Sequence, residues 1–256
     1  MFWIIAATAF LASLLTLFSG FGLGTILLPV MGLFFPVHVA VALTGVVHLS
    51  NNLFKLVLVG RYADRPTILR FGIPSVVGGL LGAWALSAMS EQAPWFTWGW
   101  GARRFEVSLI KVVIGLLMVL FALQELTPAG RRMRFGTRFL YLGGLISGFF
   151  GGLSGHQGAL RSAFLINLGL DKSAYIATGV LIACLVDGIR LPVYFNRFLT
   201  EEAVQNWPVL VTAIVFAFAG AYLGARYMEK VTLEAVKWVT GLLIMAVGLL
   251  LAAGIL

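Results

Sequence analysis

Inside long apolar runs of this 256-residue chain stand two groups of polar residues whose types suit the holding of a small anion. In the first group His48, Asn52 and Lys55 are spaced i, i+4 and i+7, so a helix carries them on one face, with Asn51 beside them. In the second, His156, Gln157 and Arg161 follow a cluster of glycines, and Asp187 and Arg190 stand further on at i and i+3. An ionisable group deep in a bilayer is costly and marks a functional position by default. Arginine and amide donors hold oxyanions, while histidine changes charge near neutral pH and so suits proton coupling. Blander roles are open to some of these groups. Lys55 and Arg190 lie near the ends of their runs and could snorkel to the interface, and Asp187 with Arg190 could be a local ion pair.

The glycines suggest how such groups are positioned. Ser19-Gly20-Phe21-Gly22-Leu23-Gly24-Thr25 precedes a run containing Pro29, and a stretch with Gly148, Gly151, Gly152, Gly155 and Gly158 precedes Arg161. Glycine lets a backbone turn at positive φ and lets a ligand approach closely, and such turns are expected at Gly24 and Gly158. A half-helix starting after the turn aims free N–H groups and a positive dipole end at it, which makes an anion site. The competing role is close helix packing through small residues. Thr44 and Thr178, at matched positions, are expected either at the site or bonded back to their own i−4 carbonyls. Lys111 and Lys237 need no role beyond snorkelling.

The elements that carry these residues repeat. At an offset of 134, Gly24 falls on Gly158, Ala40 on Ala174 and Thr44 on Thr178. Later, Gly78-x-x-x-Gly82-Ala83 matches Gly220-x-x-x-Gly224-Ala225, and the segment from Lys111 matches that from Lys237, in the same order. Sixty per cent of residues are hydrophobic and 11% are charged, against about 25% charged in soluble domains. Eight apolar units follow, roughly 2–35, 37–60, 67–90, 106–125, 138–170, 173–195, 207–228 and 235–256. The fold class is therefore an all-α integral membrane protein with two internal repeats of four hydrophobic units. The repeats are expected over 1–125 and 139–256, joined by a basic cytoplasmic linker at 126–138.

Units 2–35 and 138–170 are too long for one crossing of a ~30 Å core and too short for two crossings and a turn. Each is expected to be a broken helix or re-entrant hairpin, its turn covered by protein. Loops 61–70, 126–138 and 226–237 are rich in Lys and Arg, whereas loop 91–105 carries Trp95, Trp98 and Trp100. The basic loops then lie in the cytoplasm and the Trp loop at the opposite interface, with a slight preference for inverted repeats. The net charge of +8 is explained by these loops, so no nucleic-acid partner is expected. Cys184 stands alone and forms no internal disulfide. The N-terminus lacks a basic region and its apolar run is long, so it is expected to be retained.

The glycine turn, the following Pro29, the matched Ala-x-x-x-Thr-Gly pair and the segment Gly220 to Arg226 together resemble the TauE/SafE family of sulfite exporters and toluene-sulfonate-uptake transporters. The resemblance covers nearly the whole chain. It implies a multi-pass plasma-membrane transporter of small sulfur-containing or organic anions, coupled to an ion gradient. The family pattern has Gly-x-Gly-Gly-Gly in each half; here the first turn reads Gly20 to Gly24 with Thr25, and Ala163 stands where Pro29 has its counterpart.

The expected function is secondary transport of a small anion by alternating access. The expected binding residues are Gly22, Gly24, Thr25, Asn51, Asn52, Gly155, His156, Gln157, Gly158 and Arg161, with His48, Lys55, Asp187 and Arg190 in coupling or an ion pair. Expected partners are the lipid bilayer, the anion, a coupling proton or sodium ion, and a second copy in a homodimer. No cofactor or metal is expected. A membrane scaffold or complex subunit is the alternative. An intramembrane enzyme is the weaker one, because the chain has neither His-Glu-x-x-His nor Gly-x-Ser-x-Gly.

Overall fold

The computed structural model describes residues 1–16, 22–101, 103–196, 205–227 and 233–256. Ser19 and Gly20 of the first glycine turn, Arg197 and Lys230 lie outside the described residues. Each apolar run closes its own backbone hydrogen bonds as helix, as a bilayer requires. The helices are α1 (Phe2–Thr16), α2 (Leu23–Gly32), α3 (Val37–Val59), α4 (Arg65–Ser90), α5 (Leu109–Leu126), α6 (Leu140–Ser154), α7 (Gly158–Leu165), α8 (Lys172–Tyr194), α9 (Trp207–Tyr227) and α10 (Leu233–Ala252). Among the described residues α3, α4, α5, α8 and α9 are long and apolar enough to cross a membrane. With Val57 and Trp84 exposed on the outer faces, this is an all-α membrane protein.

Both overlong units are broken. The first gives α1 and α2, and the second gives α6 and α7. The second break is a left-handed turn at Gly155, φ 79°, which closes the C-terminal end of α6. The positive φ falls there and not at Gly24 or Gly158, which are ordinary helical residues. The expectation of left-handed backbone at those two glycines is thus corrected. Helix α7 then returns toward the start of α6. The Phe135 N–H donates to the Ala163 carbonyl at 3.2 Å, Asn167 donates to the Phe135 carbonyl at 3.0 Å, and Phe135 stacks on Phe164.

Packing partners can be read from the glycines. A Cβ placed on Gly78 or Gly82 would strike the carbonyls of Leu145 or Phe149, and one on Gly148 or Gly152 those of Ser75 or Gly79. Helices α4 and α6 therefore run parallel at the closest approach that backbones allow. The same holds for α9 and α1, where Gly220 meets Phe10 and Gly224 meets Leu14. Two further pairs are antiparallel: α5 with α10, where Gly115 meets Gly248 and Gly241 meets Leu126, and α3 with α8, where Gly45 meets Arg190 and His48 meets Asp187.

The Trp-rich loop holds an element that the sequence did not suggest. Phe96–Trp100 and Arg103–Val107 form an antiparallel β-hairpin, β1 and β2. Trp98 packs on Phe105 and donates to the Ala253 carbonyl at 2.8 Å, so the hairpin sits on the end of α10. Two short strands are marginal alone, and this contact with α10 supplies the missing packing.

Candidate functional site

The two helix breaks lie against each other. The Gly155 carbonyl oxygen is 3.8 Å from where a Cβ on Gly24 would stand, and His48 and Thr44 line the same spot. Gly22, the N-cap of α2, leaves room for the His48 ring, since a Cβ there would come within 2.9 Å of Nε2.

Around this crossing the sequence-predicted residues separate into four groups. The first is a buried charge network between α3 and α8. His48 Nδ1 stands 2.5 Å from Asp187 Oδ2, and Asn52 Nδ2 is 3.2 Å from each His48 ring nitrogen. A neutral ring that donates from Nδ1 to the carboxylate accepts from Asn52 at Nε2. Arg190 donates from Nε and Nη2 to Asp187 Oδ1 at 2.9 and 2.8 Å, and from Nη1 to the Gly151 carbonyl at 2.9 Å. Tyr194 donates to the Gly152 carbonyl. These carbonyls belong to the last turn of α6, where Gly151 also accepts from the Gly155 N–H at 2.9 Å and the α8 side chains complete the cap. Arg190, 1% exposed, is therefore a cap for the broken helix and not a snorkelling side chain.

This assignment has a measurable consequence. Removing one member of a buried ion pair costs about 3–5 kcal/mol. Asp187→Asn or Arg190→Gln alone is expected to lower folded yield sharply, and the double change should recover part of it. Thermal melts of the detergent-solubilised variants check this, and additive losses would dissolve the pair.

The second group is Asn51 with Lys55. The Asn51 amide, oriented so that its oxygen accepts, takes Lys55 Nζ at 3.1 Å and donates to the Ala217 carbonyl at 3.2 Å and to Ser13 Oγ at 3.0 Å. Lys55 is 5% exposed, so it too does not snorkel. These contacts tie α3 to α1 and α9.

Thr25, His156 and Gly158 form the third group. They face a small cavity toward α5, together with Phe121, Glu125 and Ala159. Sequence reasoning missed Glu125, which ends an apolar run; its signal was that no other acid occurs between Glu106 and Asp171.

The fourth group is Gln157 with Arg161, one turn apart on one face of α7. Both are buried. Neither Gln157 Oε1 or Nε2 nor Arg161 Nη1 has a hydrogen-bond partner among the described residues. The Arg161 guanidinium lies over Gly179 of α8, with Nε 3.4 Å from a Cβ placed there. Gly45, the repeat-matched position, receives the Arg190 guanidinium in the same way, with Nη2 at 3.1 Å. One of two similarly seated arginines is ion-paired with Asp187, and the other has no ion pair among the described residues. Thr44 Oγ1 also lacks a partner among the described residues, whereas Thr178 Oγ1 accepts from the Asp64 N–H at 2.8 Å. Neither shows the expected back-bond.

A buried guanidinium with no ion pair among the described residues, beside an unsatisfied amide and at the start of a half-helix, is a setting that a small anion can complete. No curated protein and no solved structure matches the chain. The sulfite exporter TauE/SafE family matches residues 5–251. With nearly its whole length matched, the chain belongs to this family of membrane transporters.

Proposed function

We propose that this protein is a secondary transporter of a small anion, namely sulfite, an organosulfonate or a related organic anion, across the plasma membrane. The observation that carries this reading is the Gln157–Arg161 pair at the start of α7, where Gln157 Nε2 and Arg161 Nη1 are buried without a partner among the described residues. A tetrahedral or trigonal oxyanion accepts from the guanidinium, from the Gln157 amide and from the first N–H groups of α7 together. The Gln157 amide oxygen, which has no donor among the described residues, would accept from a ligand that also carries an amine or hydroxyl.

Alternating access follows from two inverted repeats, α1–α5 and α6–α10. Three features support the inversion. The matched helices α3 and α8 run antiparallel, as do α5 and α10, which a two-fold axis in the membrane plane requires. The pairs α4 with α6 and α9 with α1 are both parallel and correspond under the same axis. Finally, Trp98 touches Ala253, so the hairpin before α5 and the end of α10 share a side; that holds if α6–α7 re-enters and fails if it crosses. A single cysteine in 126–138 and another after Ala253, in a chain with Cys184 replaced, should therefore label from opposite faces of the membrane. Labelling of both from one face would sink the inversion.

The function itself is tested in proteoliposomes by exchange of labelled sulfite, methanesulfonate and acetate. Saturable exchange of at least one is expected. No exchange of any of the three by folded protein would overturn the reading.

A further inference from the structure

A cleft of about 660 Å³ opens where the hairpin meets α5 and the end of α10. Thr97 of β1, Arg103, Arg104 and Glu106 of β2, Lys111 of α5 and Ile255 after α10 line it. Its size lies within the roughly 300–1,000 Å³ that small-molecule sites occupy. Arg103, Arg104 and Lys111 face a single side-chain carboxylate, Glu106. Even with a terminal carboxylate at Leu256 counted, positive charge is in excess. Both arginines are exposed, and no ion pair or hydrogen bond of their side chains occurs among the described residues. Lys111 Nζ donates to the Glu106 carbonyl at 3.1 Å, which leaves the rest of its ammonium hydrogens for another acceptor. The rule that gathers cations in cytoplasmic loops gives no reason for adjacent arginines beside a Trp-rich segment.

The surroundings say what kind of anion fits. Trp100 pairs with Arg103 across the hairpin, and Trp95 and Phe96 precede Thr97. All three rings are exposed, and exposed aromatic rings of a membrane protein mark the headgroup level. Deeper in, the helices turn apolar faces outward. Exposed Leu116 lies beyond Lys111 by about 7.5 Å along α5, and exposed Leu249 and Leu250 stand in the last turn of α10. A ligand that reaches from the cleft onto these faces has a negative head and an apolar body.

We propose that this cleft binds the phosphodiester headgroup of an anionic glycerophospholipid of the phosphatidylglycerol type. The two guanidiniums and the Lys111 ammonium hold the phosphate. Thr97 and Glu106 take the headgroup hydroxyls, and the acyl chains lie along α5 and α10. A zwitterionic lipid fits less well, because its ammonium adds a cation where cations are already in excess. A free phosphate would meet the cations and leave the apolar faces unused. The lipid bridges the hairpin, α5 and α10, so its binding stabilises the folded state. Lys111 and Phe121 are about 15 Å apart along α5. The site is therefore separate from the anion site on α7 and does not rest on the transporter reading.

The test is a lipid titration of the full chain in a neutral detergent. Native mass spectrometry counts bound lipid, and thermal melts are run on the same samples. Dioleoyl-phosphatidylglycerol should bind saturably, about fivefold or more tighter than dioleoyl-phosphatidylcholine, and should raise the melting temperature further. Glycerol phosphate, the free-anion arm, should not raise it at the same concentrations. Arg103→Gln should weaken phosphatidylglycerol binding about fivefold, and its combination with Arg104→Gln about 25-fold, since each basic residue near an anionic lipid surface contributes about 1 kcal/mol. Without lipid the double variant should melt as wild type, because neither side chain has a partner among the described residues. Arg134→Gln with Arg138→Gln removes two cations from another loop and should leave binding unchanged. Equal affinity for the two lipids, wild-type affinity in Arg103→Gln/Arg104→Gln, or an equal loss in the control pair overturns the proposal. So does a melting shift with glycerol phosphate as large as that with the lipid, which would make the occupant a free anion. If the double variant fails to fold, Lys111→Gln takes its place: a loss of about fivefold is expected, and no loss overturns the site.

Discussion

Arg161→Gln is expected to raise the apparent KM for the transported anion about 10- to 100-fold while folded yield stays at or above wild type. The size follows from the interaction lost. A hydrogen bond to a charged group contributes about 1.5–3 kcal/mol, and about 1.4 kcal/mol is a factor of ten in affinity. The sign of the stability effect follows from the pairing. Asp187, the rival partner by depth, has its oxygens engaged by His48 and Arg190. No hydrogen bond reaches Arg161 Nη1 among the described residues. Deleting a buried charge that has no ion pair among the described residues removes a desolvation cost and breaks no such pair. Arg161→Lys keeps the charge and loses the planar fork, so its KM should fall between wild type and Arg161→Gln. Asp187→Asn should not mimic either variant, because its effect is on folding. The discriminating measurement is a melt and a transport assay on the same preparation. A lowered melting temperature with unchanged KM would make Arg161 structural. Unaltered KM and melting would remove it from the site.

Much of this arrangement was legible in the sequence because it rests on length and periodicity. The two overlong units had to break, since a bilayer accepts neither one helix of that length nor two full crossings. Where they break was less legible. Gly24 and Gly158 stood out by their matched positions, yet the left-handed turn is at Gly155. Repeat matching finds glycines that packing requires as readily as those that turning requires. The polar residues were found one by one, but not their grouping. His48, Asn52 and Lys55 do share a helical face, and still His48 joins Asp187 on α8 while Lys55 joins Asn51. Those contacts depend on which helix lies opposite, which no local spacing encodes. Lys55 and Arg190 could be read as snorkelling because distance from a helix end says nothing about what covers it. Glu125 was passed over for a similar reason. At the end of an apolar run a carboxylate reads as the boundary, and only the fold turns it inward. The β-hairpin was hidden because its stability lies in contact with Ala253, far away in sequence.

The glycines at the closest helix contacts carry the other large expectation. Gly148→Val should abolish folded protein, and Gly220→Val should do nearly the same, although neither touches the anion site. In each case the obstacle is backbone. A Cβ on Gly148 would sit 2.0 Å from the Ser75 carbonyl oxygen, and one on Gly220 2.3 Å from that of Phe10. A side chain in the way can rotate, but a helical carbonyl moves only with its helix. Relieving the overlap takes more than an ångström of separation along the whole α4–α6 contact. It would also forfeit the packing that draws helices together in lipid, where no hydrophobic force compensates. Overpacking costs about 1–3 kcal/mol where neighbours can give and more where they cannot, and the glycine ladder Gly144, Gly148 and Gly152 would lose all three close approaches at once. Gly188→Ala is the control. It lies within α8, a Cβ there meets nothing within 4 Å, and alanine is the better helix former by about 1 kcal/mol. Yield and melting temperature should therefore fall steeply for Gly148→Val and hold or rise for Gly188→Ala. A folded, transporting Gly148→Val protein would mean that α4 and α6 do not meet as closely as described.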